Sequence, residues 1–148
     1  MTVSAVSTAA RNKLLFRGFV DAWNAGDAHA MWNFWSPHMV HHDRARDCGP
    51  EDVFALMSSF MTAFPNLRFE IENLIADGDL VAARMTARAT HTGDFMGLAP
   101  TGKEVAVAVM GQVRIEDDHI VEHWNVMDEV HLLQQLGLAQ STFFDAAP

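Results

Sequence analysis

Leu67-Arg-Phe-Glu-Ile-Glu-Asn-Leu-Ile-Ala-Asp-Gly-Asp-Leu-Val-Ala-Ala-Arg-Met-Thr-Ala-Arg-Ala-Thr-His91 is where the chain stops reading as helix and starts reading as sheet. Leu67, Phe69, Ile71 and Ile75 alternate with Arg68, Glu70 and Glu72, the mark of a half-buried strand. Asp77-Gly78 is a hairpin signal, because the central residues of a tight hairpin take up left-handed backbone that Asp and Gly tolerate. The return strand alternates as cleanly. Val81, Ala83, Met85, Ala87 and Ala89 share one face; Arg84, Thr86, Arg88 and Thr90 share the other. His91 prolongs the apolar face by one position and is expected to point inward.

Upstream, the spacing is helical. Leu14, Leu15, Phe19, Ala22 and Trp23 predict a helix from about Arg11 to a stop at Gly26. Asp27 is a natural N-cap for a shorter helix carrying Ala28, Met31, Trp32 and Trp35, which Ser36-Pro37 ends. Met39 to Asp43 reads as extended and Arg44 to Gly49 as loop. Pro50 opens a third helix, with Val53, Phe54, Met57, Phe60, Met61 and Phe64 as its apolar stripe. Downstream, a loop from Thr92 to Gly102 leads to a strand at Val105–Ile115. The turn Glu116–His119, a strand at Ile120–Met127 and a helix ending at Gly137 follow. Three helices, four consecutive hairpin-linked strands and a last helix predict an α+β fold with an antiparallel sheet. To bury its apolar face the sheet must curve over the N-terminal helices, leaving a cone that holds a ligand.

The 148 residues suit one domain, 1–148, with residues 1–10 a frayed start. That start lacks the basic and apolar regions of a signal peptide, and no apolar run is long enough to span a bilayer. A net charge of −9 argues against nucleic acid or an anionic membrane as partner, since phosphate recognition needs a basic surface. The lone Cys48 fits a reducing compartment. A cytoplasmic protein is the expectation.

Asp128 stands where the last strand gives way to the last helix, in step with Trp124 at strand spacing. It reads two ways. It is an N-cap for Glu129–Leu136, or a base at the mouth of an apolar cavity, its pKa raised by desolvation. The roles compete, because a capping carboxylate is stabilised as the anion. His91 is either a strand-end core histidine or a group that polarises a carbonyl. His41-His42-Asp43 has metal-ligand chemistry, but without HExxH or a cysteine pair no metal is expected. Strand neighbours alternate, so one of the two histidines should face the cavity and the other solvent. Trp32, Trp35, Trp124, Phe95 and Met110 could form a flat slot for a polycyclic substrate or pack the core. Arg114 and Glu122 sit on adjacent strands at matching parity, suited to an ion pair that is structural or clamps a substrate anion. His119, His123 and His131 read as turn, back-face and helix positions, and Cys48 has no base near it. Arg84, Thr86 and Arg88 give the outer face the polarity of a wet subunit interface, so a homodimer or homotetramer is expected.

Several segments together resemble the SnoaL-like polyketide cyclases: Gly49-Pro-Glu-Asp, Phe64-Pro-Asn-Leu67, His91-Thr-Gly-Asp-Phe-Met-Gly-Leu-Ala-Pro-Thr-Gly-Lys103, and Ile120-Val-Glu-His-Trp-Asn-Val-Met-Asp128 with Gln135-Leu-Gly137. The resemblance runs from about Leu14 to Gly137. It implies the cone-shaped α+β fold shared with nuclear transport factor 2 and ketosteroid isomerase. It also implies cofactor-free closure of an aromatic polyketide ring by intramolecular aldol condensation. Asp128 then matches the acid/base and Gln112 a pocket residue, and His42 is the inward histidine. Arg114 departs from the pattern, standing where the aldol cyclases carry a histidine. Cofactor-free hydroxylation, dehydration or isomerisation on the same fold, and non-catalytic binding of a small ligand, are the rival readings. An Asp128 that is exposed, or fully engaged in capping, is what the non-catalytic reading predicts.

Overall fold

The computed structural model describes residues 7–140. Helix α1 (Thr8–Asn24) starts three residues earlier than the apolar spacing suggests, because the Ser7 hydroxyl caps it by accepting from the Ala10 N–H. Thr8, Ala9 and Ala10 are therefore helical rather than frayed, and residues 1–6 of the expected frayed start lie outside the described residues. Asp27 caps α2 (Ala28–Asn33) at 2.9 Å from the Ala30 N–H. That helix ends before Trp35. The chain passes directly into β1 (Trp35–His42), so Trp35 is a buried strand residue and not the end of a helical stripe. Pro37 is tolerated within β1 because the ladder to its neighbour is interrupted between Trp35 and Val40, where no backbone donor is required. A two-residue β2 (Asp47–Cys48) falls within the expected loop, followed by α3 (Pro50–Ala63).

The second half follows the alternation closely. Strands β3 (Arg68–Asp77), β4 (Leu80–Thr90), β5 (Glu104–Glu116) and β6 (His119–Met127) precede α4 (Glu129–Gln135). Consecutive strands pair antiparallel, through turns at Gly78 and at Asp117-Asp118, all three with left-handed backbone. The sheet is not wholly antiparallel, however. Its order is β2-β1-β6-β5-β4-β3, and β1 runs parallel to β6. A parallel neighbour requires a long crossover, and here α3 and the first three meander strands supply it. The sheet is curved and open.

The helices cover its concave face. Phe16, Phe19 and Val20 of α1 and Val53 and Met57 of α3 pack against Val81, Ala83, Met85 and Ala87 of β4 and Val109, Val113 and Ile115 of β5. A second cluster, Phe64, Ala89, Phe95, Val105, Val107, Leu132 and Leu136, closes the end nearest α4. Polar side chains pin the elements at chosen points. Asn24 exchanges two hydrogen bonds with the Phe69 backbone, and Gln135 does the same for Ala106, whose segment of β5 runs beyond the end of β6. This gives Gln135-Leu-Gly137 a structural role, since the glutamine replaces a missing strand partner.

Two interruptions of register in the meander decide which side chains face inward. In β3 an extra residue lies between Ile71 and Asn73, so Leu74 and Ala76 turn to the core and Ile75 turns out, 67 % exposed. The expected inward Ile75 is thus corrected by a bulge. In β6 the ladder passes from Ile115↔Ile120 to Arg114↔Glu122, leaving Val121 unpaired. Ile120 is buried, but beyond the bulge the inward set becomes His123, Asn125 and Met127.

Candidate active site

Between the concave face and helices α1 and α3 lies a cavity of ≈ 150 Å³. Engineered apolar cavities of roughly that size take up a benzene ring. Its wall is apolar almost throughout: Phe16, Phe19 and Trp23 from α1, Met57 and Phe60 from α3, and valines and alanines from β4 and β5. The polar residues in the lining are His41, His123 and Asn125. They come from the neighbouring strands β1 and β6, and His41 and His123 are register partners.

The two imidazoles meet through their Nδ1 atoms at 3.1 Å, with ring centroids 4.8 Å apart. Two nitrogen lone pairs cannot sit at that distance, so one ring donates an Nδ1–H and the other accepts it. Burial lowers the pKa of both. His123 is pushed down to about 3, chiefly by desolvation and then by its neighbour His41. His41 is lowered by desolvation and the neighbouring His42, against the pull of Asp43. Both rings are therefore neutral at pH 7. Asn125 pairs with Gly111 across the β5–β6 ladder, and its Oδ1 lies 3.5 Å from where a side chain at Gly111 would begin. The glycine leaves the amide room to lie over the sheet on the exposed side of the cavity.

The sequence-predicted site divides between the two faces of the sheet. His42, Met110, Gln112, Arg114 and Trp124 all lie on the convex face, opposite the cavity, which corrects their expected place in its lining. For Trp124 the cause is the β6 bulge, whereas Met110, Gln112 and Arg114 follow the alternation of β5, whose odd-numbered valines face the cavity. Counting by twos from the buried Ile120 puts Trp124 inward, whereas the extra residue Val121 turns His123 inward instead. Likewise His41, not His42, is the inward member of its pair, and His123 is not a back-face residue. The expected Arg114–Glu122 ion pair does form, joined by His42, whose Nε2 is 3.2 Å from Glu122 and whose Nδ1 is 3.0 Å from Asp47. His42 stacks on Trp124 at 4.8 Å. Hydrogen bonds from Arg114 and His42 lower the Glu122 pKa, and the bond to Glu122 raises that of His42.

Asp128 caps α4, its Oδ1 accepting from the His131 N–H at 3.0 Å, and it is exposed. It follows the cavity-lining Met127 but is not itself part of the lining. His91 points inward as the alternation requires and is fully buried, with Nδ1 accepting from the Thr101 N–H and paired to the Thr101 hydroxyl. It stands behind the wall with Phe95, both packed on the cavity-lining Phe64. Trp35 is packed between Phe19 and Trp32 rather than on the cavity. The sequence contained one signal for the true lining. The apolar set of β5 is Val105, Val107, Val109, Val113 and Ile115, and its register partners in β6 past the bulge are odd-numbered. His41-His42-Asp43 and His123 do not gather around one point, because His41 and His42 face opposite sides.

An open, curved α+β sheet with an apolar cavity on its concave face is a fold of the nuclear transport factor 2-like type. Residues 13–136 match the family model of the SnoaL-like polyketide cyclases. The structure is similar to that of AclR, a proposed hydroxylase from Streptomyces galilaeus, at 36 % identity and a TM-score of 0.86, over 91 % of this chain and 90 % of that one. It is similar to IdmH, a proposed polyketide cyclase from Streptomyces antibioticus, at 30 % identity and a TM-score of 0.78, over 86 % and 99 %. TsrD from Streptomyces laurentii follows at 27 % identity and a TM-score of 0.78, over 90 % and 98 %. No protein of curated function matches the chain in sequence. The chain belongs to the SnoaL-like polyketide cyclase family. Its neighbours in that family carry the names of cyclases and a hydroxylase. Among the described residues, no helix is long and apolar enough to cross a membrane.

Proposed function

We propose that this protein is a polyketide cyclase that closes a ring of an aromatic polyketide intermediate by cofactor-free intramolecular aldol condensation in the concave cavity. One observation supports this reading above the others: an apolar chamber whose polar groups gather on one wall, at His41, His123 and Asn125. An aldol closure needs two things from a protein. The flexible chain must be folded so that a carbon acid meets a carbonyl, and a proton must move from carbon to oxygen. Aromatic and aliphatic walls supply the first and the polar corner the second. The resemblance gives the acid/base role to Asp128, and the inward strand position of His91 makes that histidine its aid. In that case α4 has to release the Asp128 cap when substrate binds. The acidic surface of the chain fits a neutral or weakly acidic small molecule better than a polyanion.

Two observations favour other readings. The similarity to AclR favours cofactor-free hydroxylation. The capping and exposure of Asp128 favour a binding module without catalysis. One experiment separates all three: incubation with an aromatic ketone bearing a β-keto ester side chain, in air and under argon. Ring closure proceeds equally in both, whereas hydroxylation stops under argon and a binding module gives neither product. Asp128→Asn is the companion variant. If it retains full turnover, the carboxylate is a helix cap and not the base.

A further inference from the structure

The cavity wall carries a chemistry that a single carboxylate does not have. We infer that His41 and His123 act as one catalytic pair, in which one imidazole Nε2 takes a proton from the bound molecule while the other Nε2–H gives one back. The inference rests on the acid–base reading of the cavity proposed above and names its machinery.

The geometry leaves little choice of proton positions. The rings meet Nδ1 to Nδ1 at 3.1 Å, so a single proton lies between them. In a neutral pair, the ring that donates through Nδ1 has a bare Nε2, and the ring that accepts through Nδ1 carries its proton on Nε2. One wall thus offers a base and an acid together, held in opposite tautomers by their shared bond. The surroundings keep the pair neutral. His42 and Asp43 follow His41 in the chain, Cys48 is its register partner in β2, and Glu122 lies on the far face of β6. Gly111 and Val113 face the pair from β5, and α1 and α3 offer only apolar side chains to the cavity.

The proton balance closes. The bare Nε2 removes the proton from the carbon between two carbonyls. That carbon forms the new C–C bond as the π bond of the second carbonyl opens, and the resulting oxygen takes the proton from the other Nε2–H. The proton between the two Nδ1 atoms crosses to the second ring in the same event. Both rings finish neutral with their roles exchanged, and no net proton enters or leaves. Exchange with water at the two Nε2 atoms after product release restores the starting tautomers. A lone carboxylate would instead have to swing from carbon to oxygen with the same proton.

The test uses benzoylacetone, an aromatic 1,3-diketone that is a carbon acid but cannot cyclise, with the full-length protein in D₂O. Cavity binding is followed by chemical-shift changes, and loss of the acidic C–H by proton NMR. The parent is expected to accelerate exchange over buffer, and His41→Asn and His123→Asn each to lose about 100-fold or more, the usual scale of general acid–base catalysis. Glu70→Gln, whose side chain pairs with Arg88 on the face away from the cavity, is the control and should stay within about threefold of the parent. Exchange should also persist below pH 6, where an ordinary imidazole is protonated. Should either histidine variant fail to fold, nitrogen-15 histidine spectra of the parent give a second reading. They should show one Nδ1–H and one Nε2–H tautomer among the pair at pH 7. Two identical tautomers, exchange that survives either histidine substitution, or exchange abolished by Asp128→Asn overturns the pair. Failure of the diketone to bind removes the cavity reading itself, and the pair with it; binding without accelerated exchange removes only the pair.

Discussion

Burial of a neutral histidine makes a protein lose stability as pH falls, and His123 allows the size of that loss to be worked out. Its folded pKa is about 3, against 6.5 for an unperturbed imidazole. A depressed histidine pKa means that the unfolded chain binds the proton first. Stability from this residue is therefore fully present above pH 6.5 and lost progressively below it, down to the folded pKa. Each pH unit within that window is worth about 1.4 kcal/mol for one proton. From pH 7 to pH 5 the loss is about 2 kcal/mol, because titration of the unfolded imidazole begins only near 6.5. Most carboxylates remain ionised down to pH 5, so the window isolates histidine. Opposing it, His42 has a raised pKa, and its contribution is present at low pH and lost as pH rises through the folded value. The clean measurement is a difference between two proteins. Urea unfolding of the parent and of His123→Asn at pH 7, 6 and 5 should give a parent that loses about 2 kcal/mol more than the variant across that range. Parallel curves, agreeing within about 0.5 kcal/mol, would show that His123 is free to protonate in the folded state and that the neutral pair is wrong.

Three further expectations follow from the same structure. Gly93→Ala places a methyl 2.0 Å from the Thr62 carbonyl oxygen, on backbone that cannot move aside cheaply, and threatens the bonds from Thr92 and Gly93 to the Ala63 carbonyl. Overpacking and two weakened hydrogen bonds together should cost about 3–5 kcal/mol, read as a lowered urea midpoint. Ala87→Phe fills the cavity from β4, and an aromatic probe should bind at least about tenfold more weakly while the far-ultraviolet spectrum is unchanged. Glu122→Gln removes the partner that raises the His42 pKa, which should fall toward its ordinary value in an NMR titration, while the cavity pair keeps its tautomers.

Much of the fold was legible because it rests on local rules. The helical stripes around Phe19 and Met57, the caps at Asp27 and Asp128, the Asp77-Gly78 turn and the inward face of β4 all depend on residues close in sequence. The same rules placed His91 inward and paired Arg114 with Glu122. They could not extend helix α2 correctly, because Trp35 satisfies a helical spacing and a strand equally well, and packing against Phe19 settled it.

Family, element types and the capacity for an apolar cavity were therefore determined by the sequence alone. Which residues meet in that cavity was decided by tertiary structure. Side-chain direction along a strand has a period of two, and a single unpaired residue reverses it for everything beyond. Such a residue exists only relative to a partner strand: Val121 is extra because β5 steps from Ile115 to Arg114 while β6 steps from Ile120 to Glu122. Nothing in the composition of β6 marks the step. The parallel pairing of β1 with β6, between segments some eighty residues apart, then brings His41 to His123 and turns His42 and Trp124 to the opposite face.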